Sequence, residues 1–336
     1  MTKPSMFARP PRPRRALGAI ALLVSAAIIL AGCGTGGAPD AEASPGRTLS
    51  ASGENPSTTA PSTTAPSTSA KPKPATQPVH IKLTNSDGAT YGVGMPIIAY
   101  FSRTITSAAA LTKATTVTVD DKPVTGGWFF ETSAAFKDYP IEGHWRPQNY
   151  WPAHSSVHLG LPIQGLSAGG SLAFDNSLTL DFTTGSANIA TVDESTHELS
   201  LTVDGKAEGT YPVSLGATDT PTARGIKVIM EKGASICMSG PGYNECGVKW
   251  TQRLTYGGEY LHAAPWNLAH LGNYDSSNGC TNLSTSDAKK LYDLMEVGDV
   301  VNYPNANGPK MQLGTGYGDW NVPWSQWLTG GLVSTA

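Results

Sequence analysis

The chain has 336 residues, enough for two or three domains. Charged residues make up only 15%, whereas Gly (37) and Pro (25) are plentiful, which favours a turn-rich, mainly β protein over a helical one. The formal net charge is −3, and without the five basic residues among the first fifteen, 18 of the 23 basic residues remain against 26 acidic ones. Such an acidic remainder excludes nucleic acid as an expected partner.

Residues 1–32 are predicted to be a signal peptide. A basic start runs into the apolar stretch 16–30, which is short for a membrane span but suits the core of an export signal. The next residues, Leu30-Ala31-Gly32-Cys33, resemble a bacterial lipobox, which implies cleavage before Cys33 and lipidation of its thiol. Several acyl chains on one residue would attach the protein stably to a membrane. An uncleaved membrane anchor is the alternative for this stretch.

Residues 33–78 are predicted to be a lipid-anchored Ser/Thr/Pro linker. Positions 41–78 hold seven Pro and fourteen Ser/Thr and have no apolar periodicity. This composition cannot bury a core and is typical of an extended spacer. The linker would let an extracytoplasmic head work well above the cell membrane.

Residues 79–186 are predicted to form an Ig-like β-sandwich without a convincing helix. Short runs rich in β-branched and aromatic residues alternate with turns: HIKLT, PIIAYF, TTVTV, SSVHLGL and SLTLDFTT. Three histidines in this part, His144, His154 and His158, lack the spacing of metal ligands, so packing and surface roles are expected for them.

A second β-rich domain is predicted over residues 187–304. The runs NIATVD, HELSLTVDG, GTYPVSLG and RGIKVIMEK indicate strands, with a hairpin turn at Asp204-Gly205. A single helix is predicted from Ser284 to about Val297, because Ser284 with Asp287 three residues later is a capping signal.

Residues 305–336 form a predicted C-terminal extension that contains tryptophan. Trp320, Trp324 and Trp327 follow a loop at helical spacing. We expect this stripe to pack a short closing turn against the domain, and carbohydrate binding is the alternative.

Cys280 lies in the small polar run DSSNGCTNLS and is a candidate nucleophile. A thiol becomes reactive when a base takes its proton, and the candidate base is His262, at the end of a predicted strand that Ala264-Pro265 terminates. Gly279 allows close approach of a substrate, and the N–H groups of Gly279 and Cys280 are candidates for an oxyanion site. A buried inert thiol remains an alternative, as does a zinc site of His262, His270 and Cys280 that lacks close-spaced ligands.

The pattern from His262 through Ser277-Asn278-Gly279-Cys280-Thr281-Asn282 resembles the L,D-transpeptidase (YkuD-type) motif, in which a histidine precedes Ser-His-Gly-Cys-x-Asn. Further segments are similar to the same family: TPTARGI, HAAPW and GDWNVPWSQW. Two segments of the first β-rich part, YGVGMPIIAYF and HWRPQNYWPAH, resemble the Ig-like domains that precede such catalytic domains. Asn278 departs from the motif, which has histidine there.

The resemblance implies a β-sandwich catalytic domain with Cys280 as nucleophile, His262 as base and the carbonyl of Ala263 orienting the imidazole. It also implies substrate contacts at a set of nearby positions: Tyr243, Trp266, Ser277, Asn278 and Asn282. The reaction expected is transfer of a peptidoglycan tetrapeptide stem from a Cys280 thioester to a neighbouring stem amine, giving a 3→3 cross-link. No cofactor or metal is expected, and carbapenems are the expected inhibitors.

Cys237 and Cys246 flank MSGPGYNE, which suits the tip of a hairpin, and an extracytoplasmic setting permits a disulfide between them. The family has a mobile flap over its active site in this region. With Cys33 lipidated and these two cysteines paired, Cys280 is the remaining free thiol. An L,D-carboxypeptidase and a non-catalytic wall-binding lipoprotein are the alternative functions.

Overall fold

The computed structural model describes residues 76–240 and 243–336. The predicted signal peptide, the lipidation site Cys33 and nearly all of the predicted linker lie outside the described residues. No helix in the described part is long and apolar enough to cross a membrane.

The first half of the described chain is an Ig-like β-sandwich with one short helix. Its strands are β1 (Gln77–Val79), β2 (Ile81–Leu83), β3 (Thr90–Tyr91), β4 (Ile97–Phe101), β5 (Thr116–Val119), β6 (Lys122–Pro123), β7 (Gly126–Thr132), β8 (Ile141–Pro147), β9 (Ser156–Leu161), β10 (Ser167–Gly169), β11 (Leu172–Phe174) and β12 (Leu178–Thr184). They form sheets in the orders β2-β4-β8-β7, β3-β12-β9-β5-β6 and β1-β11-β10. Side chains such as Ile97, Phe130 and Leu159 fill the core between them.

The helix α1 (Ala109–Ala114) contradicts the expectation of a helix-free sandwich. It has six residues, fewer than two turns, and no side-chain N-cap, so the capping signals that reveal a helix in sequence are missing. Leu111 is its buried residue and holds it to the sandwich.

The second half is the catalytic-type domain, with two sheets around one apolar core. Its strands are β13 (Asn188–Asp193), β14 (Glu198–Val203), β15 (Lys206–Pro212), β16 (Gly225–Val228), β17 (Glu231–Gly240), β18 (Tyr243–Arg253), β19 (Tyr260–Ala263), β20 (Thr281–Leu283) and β21 (Val300–Tyr303). The sheet orders are β15-β14-β13-β21-β16 and β17-β18-β19-β20. The run RGIKVIMEK, predicted as one strand, divides between β16 and β17, which belong to different sheets.

Two local sequence signals of this domain act as predicted. Asp204 and Gly205 both have positive φ (49° and 76°) in the two-residue turn between β14 and β15, as a type I′ hairpin requires. The helix α2 (Thr285–Leu294) begins after Ser284, whose hydroxyl accepts the Asp287 N–H. It ends three residues before the predicted Val297, because Met295 returns to extended backbone.

The C-terminal segment, residues 305–336, packs on the Ig-like sandwich. Its helix α3 (Trp324–Trp327) places Trp327 against Phe129 of β7, with ring centroids 5.0 Å apart, and the Trp327 indole donates to the Gly127 carbonyl at 2.8 Å. Trp327 is fully buried, so it cannot stack on a carbohydrate. The same segment is bound to the second domain by Asn321, whose side chain accepts the N–H of Ile226 in β16 and donates to its carbonyl. It therefore connects the two domains, whereas the sequence predicted only a closing turn.

Candidate active site

Cys280 ends the loop that precedes β20, next to the strand that carries His262. Parallel pairing of β19 with β20 sets Leu261 opposite Thr281 and His262 opposite Asn282. Eighteen residues of sequence separate Cys280 from His262, and this pairing brings them to one cavity of about 340 Å³. Gly279, just before the cysteine, has φ +104°, a conformation that glycine adopts readily and other residues rarely do.

The imidazole of His262 is held in one tautomer by the next residue. Its Nδ1 lies 2.9 Å from the carbonyl oxygen of Ala263. A carbonyl only accepts, so Nδ1 carries the proton and Nε2 keeps its lone pair. The indole of Trp266 lies beside the ring, at 6.0 Å between centroids. Burial lowers the pKa of His262, with the Ala263 hydrogen bond opposing, so the imidazole is neutral at pH 7.

The thiol of Cys280 is buried and neutral. It is 7% exposed, and its Sγ donates to the carbonyl of Gly258 at 3.5 Å. Burial raises the pKa of Cys280 to about 11; the backbone N–H of Tyr260 opposes this rise, and the charge of Glu259 adds to it. A thiolate is therefore a minor species here before a substrate arrives.

A buried ion pair that the sequence did not reveal acts electrostatically on the thiol. The ammonium of Lys227, with no exposed side-chain surface, lies 2.7 Å from Glu259 Oε2. Glu259 Oε1 accepts the N–H of Ala223, so both carboxylate oxygens are engaged. The lysine lowers and the glutamate raises the pKa of Cys280, and their effects oppose each other. The only sequence signal was a lysine at an inward position of a predicted strand.

The loop before Cys280 is braced by hydroxyl groups. Ser277 Oγ accepts the Gly279 N–H at 3.1 Å and donates to the Cys280 carbonyl at 2.6 Å. Thr220 and Thr222, in the segment TPTARGI, donate to the carbonyls of Ser277 (2.9 Å) and Gly279 (3.0 Å). The Gly279 N–H expected to form part of an oxyanion site is thus occupied by Ser277.

Of the residues predicted to contact substrate, two outside the flap are exposed and two are buried. Trp266 is 59% exposed and Asn278 is also exposed, whereas Ser277 and Asn282 are buried. The Asn282 Oδ1 has no hydrogen-bond partner among the described groups. All four residues line the cavity of Cys280.

A long hairpin of β17 and β18 lies over the site. Cys237 and Cys246 are joined by a disulfide across it, next to an irregularity in the strand register. Tyr243 and Met238 on this flap line the Cys280 cavity and also a larger one of about 990 Å³ on the other side. Asn278 also lines both cavities. The flap therefore lies between two cavities that both reach the loop preceding Cys280.

The remaining histidines do not join the site. His270 is bonded to Ser276 Oγ at 2.8 Å, and no group of three metal-ligating side chains in the described part of the chain contains His262, His270 or Cys280. Among the described residues, His262, His270 and Cys280 therefore do not form the zinc site that the sequence left as an alternative. His154 and His158 pair with Asp204 and Asp181 at the surface, but His144 is buried in a cluster of carboxylates.

Comparison with known proteins matches two family models to the chain. A model of the L,D-transpeptidase catalytic domain (YkuD) matches residues 187–302, and a bacterial Ig domain model matches residues 39–167. L,D-transpeptidase 2 of Mycobacterium tuberculosis (strain CDC 1551 / Oshkosh) is 30% identical over 267 residues, 76% of this chain and 64% of that relative. The chain thus spans somewhat less than two thirds of that protein's length.

Solved structures share the fold over a similar extent. The crystal structure of an L,D-transpeptidase from M. tuberculosis H37Rv superposes with a TM-score of 0.53 at 31% identity, covering 67% of this chain and 97% of that one. The LD transpeptidase LdtMt1 in complex with imipenem gives a TM-score of 0.54 at 27% identity, over 66% of this chain and 97% of that one. With its mainly β architecture of an Ig-like domain followed by a YkuD-type domain, this chain belongs to the L,D-transpeptidase family.

Proposed function

We propose that this chain is a peptidoglycan L,D-transpeptidase that forms 3→3 cross-links through a thioester on Cys280. The observation that carries the proposal is the shared cavity of Cys280 and His262, in which the Ala263 carbonyl leaves the Nε2 lone pair of the base free. Membership of the L,D-transpeptidase family gives the reaction class, and this cavity contains the nucleophile and the base that the reaction needs.

In the first half-reaction, the thiol leaves the Gly258 carbonyl and passes its proton to His262 Nε2 as Sγ attacks a stem carbonyl. The carbonyl belongs to the third residue of a donor tetrapeptide, and the terminal D-alanine departs with the proton returned by His262. The N–H of Cys280 is assigned to the developing oxyanion, and the Gly279 N–H joins it if Ser277 Oγ gives up its bond.

In the second half-reaction, an amine of a neighbouring stem attacks the thioester. His262 takes the amine proton and returns it to the departing Sγ, so one amide replaces another and no cofactor is needed. The cavities of about 340 and 990 Å³ on the two sides of the flap are assigned to the two stems. The exposed Trp266 and Asn278, with Tyr243 on the flap, are assigned to substrate contact.

The site of action is proposed to be outside the cytoplasm, with lipidated Cys33 as anchor and residues 33–78 as tether. The division into domains at 79–186, 187–304 and 305–336 is proposed with it. The Ig-like domain would then hold the catalytic domain at a distance from the membrane.

The decisive experiment is intact mass spectrometry after incubation with a purified tetrapeptide stem. A thioester adduct is expected on wild type and is absent from Cys280→Ser. His262→Ala should reduce turnover at least about a hundredfold while the near-UV circular dichroism stays unchanged. Peptide mapping after imipenem treatment should place the adduct on Cys280, and an adduct on Cys237 or Cys246 would contradict the assignment.

The products of the same incubation separate the alternatives. Dimers with 3→3 links support transpeptidation, whereas tripeptides alone would show an L,D-carboxypeptidase. No adduct and no product from the tetrapeptide stem would contradict both enzymatic functions and leave the non-catalytic wall-binding lipoprotein.

A further inference from the structure

A buried cluster of ionisable side chains lies on the face of the Ig-like sheet opposite to the sandwich core, and none of its residues lines the Cys280 cavity. Glu131 on β7 stands directly opposite Glu142 on β8, and His144 is two residues further along β8 on the same face. The three residues are 9%, 1% and 2% exposed. Asp319 of the C-terminal segment, 1% exposed, closes the cluster. Buried ionisable groups in this number must either be neutralised by protons or be paired with a charge of opposite sign.

The histidine of the cluster presents a lone pair to the two glutamates. Its Nδ1 lies 2.6 Å from Asp319 Oδ1, which places the proton on that nitrogen when the ring is neutral. The other nitrogen, Nε2, is 3.7 Å from Glu142 Oε1 and 4.0 Å from Glu131 Oε1. Nε2 has no hydrogen-bond partner although it is fully buried, and the same holds for Glu142 Oε2. Native proteins rarely leave such atoms unsatisfied.

From this geometry we propose that Glu131, Glu142 and His144 form a binding site for a divalent transition-metal cation of the zinc class. Among residues 76–240 and 243–336 they are the one group of three potential ligands whose ligand atoms all lie within 4.8 Å of one another. Ligands about 2.0–2.1 Å from a tetrahedral Zn²⁺ are roughly 3.3–3.5 Å apart, so small side-chain rotations close the site. A carboxylate that orients the distal nitrogen of a ligating histidine, as Asp319 does, is a common feature of zinc sites.

The charge balance also favours a cation at this point. Three carboxylates surround one imidazole, and the guanidinium of Arg146 makes no side-chain ion pair with any of them. Arg146 donates to the backbone carbonyls of Asp319 and Val322, at 3.3 and 3.0 Å, and stacks over the ring of Trp327 at 4.3 Å. A divalent cation would neutralise the two glutamates and leave Asp319 paired with the imidazole N–H. Two carboxylates and one imidazole are a ligand set that suits zinc better than magnesium.

The consequence would be a metal-dependent connection between the domains. The three ligands belong to the Ig-like sheet. Asp319, which orients His144, belongs to the same C-terminal segment as Trp327. An occupied site would hold β7 and β8 against this segment. The cluster is outside the Cys280 cavity, so the proposal is independent of the proposed function.

The test is Zn²⁺ binding to the purified full chain, treated with chelator and then titrated with Zn²⁺ in isothermal calorimetry. We expect one strong site per chain, with affinity reduced at least tenfold in Glu142→Gln and in His144→Gln. His158→Gln, which removes a surface histidine paired with Asp181, is the matched control and should bind like wild type. Cys280→Ser should also bind like wild type, because the candidate active site is not involved. Mg²⁺ should give no strong binding.

X-ray absorption at the zinc edge on wild-type protein provides a second measurement that needs no variant. Nitrogen and oxygen ligands without sulfur support the site, and a sulfur ligand would assign the ion to a cysteine elsewhere in the chain and overturn it. Absence of a strong site, or equal affinity in wild type, Glu142→Gln and His144→Gln, would show that the cluster holds protons only.

Discussion

Cys280 and His262 line one cavity without a hydrogen bond between them among the described residues: the thiol donates to the Gly258 carbonyl and the imidazole to the Ala263 carbonyl. Burial raises the pKa of Cys280 to about 11 and lowers that of His262. The resting pair is therefore a neutral thiol with a neutral imidazole, and proton transfer must accompany attack.

This protonation state predicts a pH profile for alkylation of Cys280 by iodoacetamide. Only the thiolate reacts, so below a pKa of about 11 the rate should rise about tenfold per pH unit and show no plateau near neutrality. His262→Ala should leave this alkylation profile unchanged, although it removes the general base for acylation. A plateau with a midpoint below pH 8 that disappears in His262→Ala would show a resting thiolate–imidazolium pair instead.

The second prediction concerns Ser277, whose hydroxyl fixes the backbone on both sides of the Cys280 thiol. Ser277→Ala removes both hydrogen bonds of its hydroxyl, so the Gly279 N–H and the Cys280 carbonyl lose their brace. A displacement of Sγ by a fraction of an ångström should slow acylation by imipenem about tenfold to a hundredfold. Stopped-flow absorbance of the β-lactam measures the rate.

The matched control for that variant is Ser133→Ala. Ser133 braces a loop of the Ig-like domain in the same way, with its hydroxyl bonded to both the carbonyl and the N–H of Phe136. It should leave acylation unchanged. Equal acylation rates in wild type and Ser277→Ala would show that the brace has no part in presenting the thiol.

Local signals allowed part of this structure to be predicted. The Ser284 cap and the Asp204-Gly205 turn are set by nearest neighbours, and the structure has both. The motif residues around Cys280 pointed to the candidate site, because the spacing of a motif is itself local. The pairing of β19 with β20, which brings Cys280 and His262 to one cavity, could not be derived from an eighteen-residue separation.

Non-local contacts account for what the sequence did not reveal. The lysine–glutamate pair of Lys227 and Glu259 joins residues 32 positions apart, and the contact of Trp327 with Gly127 joins residues 200 apart. A helical spacing of tryptophans indicates that one face is buried but not which surface covers it. His144 was interpreted as a packing or surface residue for the same reason, since its carboxylate neighbours come from β7, β8 and the C-terminal segment.

Replacing Trp327 tests how strongly the C-terminal segment is held to the Ig-like domain. Trp327→Ala removes a fully buried indole and its bond to Gly127, which should destabilise the protein by about 3–5 kcal/mol and lower the melting temperature by at least roughly 6 °C. Calorimetry measures this. Trp266→Ala, which removes a side chain that is 59% exposed, is the control for stability and should change the melting temperature little. Similar melting temperatures for both variants would contradict the interdomain role.

The flap disulfide predicts a local change. Converting Cys237 and Cys246 to serine together should loosen the hairpin by about 2–3 kcal/mol, because a short closed loop no longer restricts the chain. Hydrogen exchange should accelerate in residues 231–253 and stay the same in β13 and β14. Unchanged exchange in the hairpin would show that its strand pairing suffices without the bridge.

Asn278 provides the last prediction, because it stands where the family motif has histidine. Its side chain is exposed on the border of both cavities, and Ser277 already braces the loop. An amide cannot carry an imidazolium charge, so the thiol lacks a nearby positive group from this position. We expect Asn278→His to lower the pKa of Cys280 and to accelerate acylation by imipenem several-fold at pH 6, where the new imidazole is protonated. Asn278→Gln is the control, since it retains the amide and should behave like wild type. An unchanged rate and unchanged apparent pKa in Asn278→His would show that this position affects only the shape of the cavities.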